Sequence, residues 1–293
     1  MTADSRHWLI KFAATLAVLW MCCWAAPRLV ADFPQFPPVT TGQVQEEVFD
    51  RYFKLSRPDI AIVGSSLAYH LKDWYFERGD VRNVALPGGS PLTALAVIAD
   101  SPSARPRAIA VETNILDRTM DQGLFEKFGS VTRPQAPLPV MRTLAARYEG
   151  GNGTLSYNAR KISAIKAAPP APDRSEASVS TSWGDWNRDL DRKALREHAR
   201  QLSSLTAKLE GQGVRIFFFE VPYPSRLNES RYARTAREIF DEVFAPDDKR
   251  RLALDYPLDQ MRSEADGVHL DERSSVIFAA ALDRAIHDRL AVK

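Results

Sequence analysis

Cysteine is almost missing from this chain. Its 293 residues include two, Cys22 and Cys23, adjacent and inside an apolar N-terminal stretch. Everything beyond them therefore lacks a thiolate nucleophile, a thiolate metal ligand and a disulfide, a pattern that suits an oxidising compartment. Trp20 and Met21 stand where a lipid-attachment motif around Cys22 needs small residues. Net charge is nearly missing too: 39 Lys and Arg against 37 Asp and Glu leave +2, with no basic cluster, so no nucleic-acid partner is expected. There is no internal repeat.

One long apolar run is present. Residues 8–26, "WLIKFAATLAVLWMCCWAA", carry Lys11 as their only charge and have the length of a membrane span. Arg6 and Lys11 place the N-terminus in the cytoplasm and everything after Arg28 outside it. The expectation is an uncleaved single-pass anchor over residues 1–30, in the cytoplasmic (inner) membrane, with the rest facing the periplasm or exterior. A cleaved signal peptide is the rival; Ala25 and Ala26 suit its cleavage site, Trp24 and Pro27 do not.

A Pro-rich spacer and an entry helix fill residues 31–57. From Pro58 on, apolar runs at "DIAIVG", "VRNVAL", "RAIAVET", "VRIFFFEV" and "RLALDY" alternate with amphipathic stretches long enough for crossover helices. That alternation predicts an α/β domain over residues 58–293 with a mainly parallel five-stranded sheet covered on both faces. It breaks at about 129–186, where "RPQAPLPV", "EGGNG" and "AAPPAPDRSEASVSTS" concentrate Pro, Gly, Ser and Ala, as in a long, partly mobile insertion. Its aromatic residues Tyr148, Tyr157, Trp183 and Trp186 either line a sugar-stacking surface or pin the insertion to the body.

In an open parallel sheet, sites gather at the carboxyl ends of the strands. The first strand ends on Gly64-Ser65-Ser66, the second runs into "LPGGS", the third into "ETN", and "EADGVHLDERSS" precedes the final helix. These endings supply parts for nucleophilic catalysis. A serine hydroxyl needs an adjacent base, and His269 is the candidate, with Asp266 three positions earlier to orient it. Gly88, Asn114 and the Ser66 N–H are candidate oxyanion donors. Each residue also has a structural reading: Ser65 and Ser66 as helix caps, Asn114 as a turn residue and His269 as a surface histidine. His70, one turn past Ser66, and His198 and His287, in charged helices, read as residues outside the chemistry.

The order "IVGSS", "NVALPGG", "ETN", "DGVHL" resembles the four sequence blocks of the SGNH (GDSL-type) hydrolase superfamily. The resemblance covers residues from Asp59 to the C-terminus, apart from the insertion. It implies a three-layer flavodoxin-like fold, Ser66 as nucleophile, Gly88 and Asn114 in the oxyanion hole, and Asp266 with His269 as the Asp-x-x-His pair. Ser65 stands where the family pattern has Asp. With an N-terminal anchor, the chain is similar to the extracytoplasmic members that handle acyl groups in alginate acetylation and teichoic-acid alanylation. That implies a serine-dependent O-acyltransferase, acetyl being the expected group, acting on an envelope polysaccharide beside a membrane-bound O-acyltransferase. The alternatives are a periplasmic carbohydrate or acyl esterase and a non-catalytic envelope scaffold. The chemistry calls for no cofactor and no metal.

Overall fold

In the computed structural model the residues described are 3–29, 40–54, 58–129, 155–172, 175–223 and 226–291. Most of the Pro-rich spacer, "RPQAPLPV", "EGGNG" and Tyr148 lie outside them.

Helix α1 (Ala3–Leu29) forms where the anchor is expected. Its side chains from Ser5 to Cys22 are exposed, Trp8, Ile10 and Trp20 each by more than half. Yet among the described residues no helix is long and apolar enough to cross a membrane. Lys11 interrupts the apolar run between Ile10 and Phe12. The expected transmembrane helix is therefore not found, although a helix is.

After α2 (Thr41–Lys54) the chain builds a parallel sheet. Its strands are β1 (Ile60–Val63), β2 (Val81–Asn83), β3 (Ala108–Glu112) and β4 (Arg215–Phe219), in the order β2-β1-β3-β4. Register runs Ile60 opposite Val81 and Ala108, and Ala108 opposite Arg215. Every residue of β1 and β3 is buried, as expected of strands flanked by neighbours and covered on both faces. The order reverses between β1 and β3, a switch point that opens a crevice at the carboxyl ends of these strands. This arrangement is consistent with a flavodoxin-like fold.

The sheet has four strands rather than five. "RLALDY" reaches β4 only at its start, where Phe218 N–H donates to Arg250 O at 2.8 Å and Leu252 N–H donates to Phe218 O at 2.9 Å. Beyond that the run is half exposed and meets Pro257, which has no N–H to extend a ladder.

The two layers of helices follow from β4. Successive strand residues point to opposite faces. Phe218 packs on Phe240 and Phe244 of α9 (Arg231–Phe244), while Phe219 packs on Phe278 of α10 (Glu272–Ala291). Hence α9 and α10 lie on opposite sides of the sheet. On the α9 side, α8 (Arg192–Gly211) packs against α9 and against α4 (Pro91–Ala99), which also meets α5 (Gln122–Phe128). The α10 side also holds α6 (Leu155–Ala167).

The insertion is more regular than its composition suggests. Besides α6, residues Ser175–Trp186 form helix α7. Ile162 and Val179 are buried in the common core. Trp186 sets its ring edge-on to Tyr223 and Tyr232, both at 5.1 Å, and Arg226 lies over Trp183. Trp183 and Trp186 thus pin the insertion to the body, whereas Tyr157 is about half exposed.

Candidate active site

The turn after β1 gives the two serines different jobs. Ser65 is buried and caps α3 (Ser66–Tyr69), its Oγ accepting the Leu67 N–H at 3.2 Å. Ser66, the first helical residue, is half-buried, and no hydrogen bond engages its hydroxyl among the described residues. The cap role therefore falls to Ser65, and Ser66 is left without a structural one.

What holds this turn is Glu112, at the end of β3 and fully buried. Its Oε2 accepts the Ser65 N–H at 2.7 Å and its Oε1 accepts the Ile115 N–H at 3.2 Å. Burial pushes this carboxyl above its ordinary range; hydrogen bonds from the Ser65 hydroxyl and from the Ser65, Asn114 and Ile115 N–H groups work against that. Gly64 is fixed by the same packing. A Cβ there would lie 2.7 Å from Glu112 Cβ and 2.8 Å from both Ala68 Cβ and Glu112 Oε2. The glycine serves a close approach of β3 to the turn.

The "DGVH" turn orients its own histidine. Asp266 Oδ1 accepts the N–H groups of Val268 (2.9 Å) and His269 (3.1 Å), and Gly267 takes the left-handed conformation, φ 73°, that the turn needs. The second carboxylate oxygen, Oδ2, meets His269 Nδ1 at 2.5 Å. Burial alone pushes the Asp266 carboxyl up, but the bonds from the His269 ring and from the two N–H groups outweigh it and hold the acid well below its usual range. Asp266 therefore remains a carboxylate. With Nδ1 donating to it, the neutral His269 ring carries its lone pair on Nε2. That nitrogen is buried with no hydrogen-bond partner. No hydrogen bond therefore joins Ser66 to His269 Nε2.

His70 brings the two halves together. It closes α3, four residues after Ser66 and so on the same helical face. Its ring stacks on His269, with centroids 4.5 Å apart and planes within 16°. Glu264 stands 3.4 Å from His70 Nδ1. Burial, and then the His269 ring, push His70 below its ordinary value, while Glu264 and Asp266 pull the other way. Sequence spacing placed His70 outside the chemistry; the stack places it against the candidate base.

The oxyanion candidates differ. Asn114 is buried, its Oδ1 accepting the Val221 N–H at 2.7 Å and its Nδ2 donating to Val221 O at 2.8 Å, so this amide first of all joins β3 to the chain after β4. An amide nitrogen has a second hydrogen, and that one is its possible contribution to an oxyanion. Gly88 is exposed, at φ 70°, and its carbonyl accepts from Arg118. Comparison with protein-family models, with curated proteins and with solved structures found no match to this chain.

Two further residues were read too plainly from their helices. His198 is half-buried and bonded to Leu116 O at 2.8 Å. His287 lies between two aspartates.

Proposed function

We propose that this chain is a serine-dependent acyltransferase of SGNH type, working through an acyl-Ser66 intermediate. The observation that carries the reading is the carboxylate-bound His269, whose buried Nε2 has no partner, stacked on the helix that begins with Ser66. In the first step Ser66 Oγ attacks an ester carbonyl and its proton passes to His269 Nε2. Asp266 stabilises the imidazolium. The oxyanion is met by the Ser66 N–H, the Gly88 N–H and the second Asn114 amide hydrogen. His269 then returns the proton to the leaving alcohol. In the second step His269 deprotonates the acceptor, a glycan hydroxyl, which takes the acyl group and frees Ser66. Water as the acceptor makes the same site an esterase.

The reading carries an extracytoplasmic location, supported by the lack of cysteine beyond residue 23. A membrane-bound acyl donor partner and membrane attachment through the exposed apolar face of α1 belong to the same proposal. The experiment is incubation of the purified chain with p-nitrophenyl acetate, followed by mass spectrometry of the Ser66 peptide. Acetylated Ser66, absent from Ser66→Ala, is expected. Equal release of nitrophenol by the parent and Ser66→Ala would sink the proposal and leave the scaffold reading. An added oligosaccharide that gains acetyl distinguishes transfer from hydrolysis.

A further inference from the structure

The rim of the sheet opposite Ser66 holds a second cluster. Asp80 immediately precedes β2, and Asp283 and His287 lie one turn apart on α10. One ligand atom from each of the three lies within 4.8 Å of the others.

Hydrogen bonding leaves several acceptor atoms of this cluster without donors. His287 Nδ1 is 2.8 Å from the backbone carbonyl of Asp283, which can only accept, so Nδ1 carries a hydrogen. In the neutral ring Nε2 is then an acceptor, and it faces Asp80 Oδ2, another acceptor, at 3.0 Å. Asp283 is 7% exposed; its Oδ1 sits 3.2 Å from His287 Nδ1 without forming a hydrogen bond to it, and is buried with no donor. Asp80 Oδ1 is likewise buried without a donor. Of the nearby charges that act on Asp283, Arg78 and Glu77 oppose one another. A second proton on His287 would satisfy the contact between Nε2 and Asp80 but would leave both Oδ1 atoms without a partner.

We propose that Asp80, Asp283 and His287 bind a divalent transition-metal cation of the Zn2+ class, tying α10 to the start of β2. Ligands about 2.0–2.2 Å from a tetrahedral Zn2+ lie about 3.3 Å from one another, close to the 3.0 Å found between His287 Nε2 and Asp80 Oδ2. One imidazole and two carboxylates suit zinc or its neighbours and disfavour magnesium, which takes oxygen. The bond from Nδ1–H to a backbone carbonyl is the outer contact that usually fixes a metal-binding histidine. Water completes the coordination from the side of Asp80, the more exposed of the two carboxylates. The site lies at the other end of the strands from Ser66 and is structural in role.

The test is calorimetric titration of chelator-treated full-length chain with ZnCl2, beside MgCl2, with thermal unfolding followed in parallel. The parent should take up one Zn2+ per chain at this site and unfold at higher temperature with it, with no response to Mg2+. His287→Gln, and Asp80→Asn as the milder second variant, should each weaken Zn2+ binding by about tenfold or more and abolish the thermal shift. Both variants are first checked by circular dichroism. Zn2+ uptake and thermal shift that are the same in the parent and in the folded variants, or absent from all of them, overturn the proposal; His287 is then the cation of an ordinary ion-paired cluster.

Discussion

The rings of His70 and His269 lie face to face, 4.5 Å apart, with Glu264 beside the first and Asp266 on the second. Two imidazolium rings that close repel strongly, so the pair accepts one proton far more readily than two. In the proposed reaction, His269 takes the Ser66 proton with least repulsion while His70 is neutral.

That pairing sets a pH dependence. His70 is held below its ordinary value by burial and by His269, against the pull of Glu264 and Asp266, with Lys72 adding slightly to the depression. A depressed value means stability that is present above the unfolded pKa, about 6.5, and lost as pH falls below it. Urea denaturation at pH 7.5 and pH 5 should show a smaller acid loss for His70→Gln than for the parent. In the esterase assay, His70→Ala should lower turnover by about tenfold or more through misplacement of the His269 ring, and His70→Phe, which keeps a stacking surface, should restore most of it. Equal activity of Ala and Phe variants would show that the stack does not position the base.

Ser65 and Ser66 should separate cleanly. Removing the cap in Ser65→Ala should cost about 1 kcal/mol of unfolding free energy while Ser66 can still be acylated. Ser66→Ala should leave the denaturation midpoint within experimental scatter and abolish acylation. A reversed pattern would assign the nucleophile to Ser65.

Asp266 offers a second pH window. Its depressed pKa places the stability it contributes above about pH 3.9, to be lost as pH falls further. Asp266→Asn should therefore flatten the acid-denaturation curve below pH 4. If the proposed reaction operates, the same variant should lose about four orders of magnitude in turnover at neutral pH, since an asparagine favours the wrong imidazole tautomer. Turnover within tenfold of the parent would remove Asp266 from the mechanism.

Gly64 and Glu112 form a tight packing pair whose disturbance should be measurable without any substrate. Gly64→Ala drives a methyl into Glu112 and Ala68 and should destabilise the fold by about 1–3 kcal/mol. Glu112→Gln replaces one accepting oxygen by an NH2 group facing either Ser65 N–H or Ile115 N–H, with a cost of about 1–3 kcal/mol. Variants as stable as the parent would show that the turn after β1 is held by other contacts.

Much of the fold was legible because it depends on local pattern. The continuous apolar runs at residues 60–63, 108–112 and 215–219 became parallel strands, the first two of them central, and the spacing from Asp266 to His269 closed as a turn. "RLALDY" carries the same composition signal but only its first residues reach a partner strand, a matter of tertiary register that composition does not contain. The helices α6 and α7 were hidden by Pro-rich and Ser-rich neighbours. Glu112 and His70 were hidden differently. Each acts on a residue far away in sequence, Glu112 on Ser65 and His70 on His269, and neither residue type is informative alone. The apolar run expected to span a membrane is a helix, but among the described residues no membrane-spanning helix is found.

The hydrogen bond from Ser65 to Glu112 spans 47 positions, and the ring that lies against His70 comes from the turn just before the last helix. Long loops must close before such contacts form, which makes them late events in folding. During synthesis, Ser66 leaves the ribosome long before His269 does. In a nascent or truncated chain the two residues of the proposed pair are apart, and they come together only when the C-terminal helix docks.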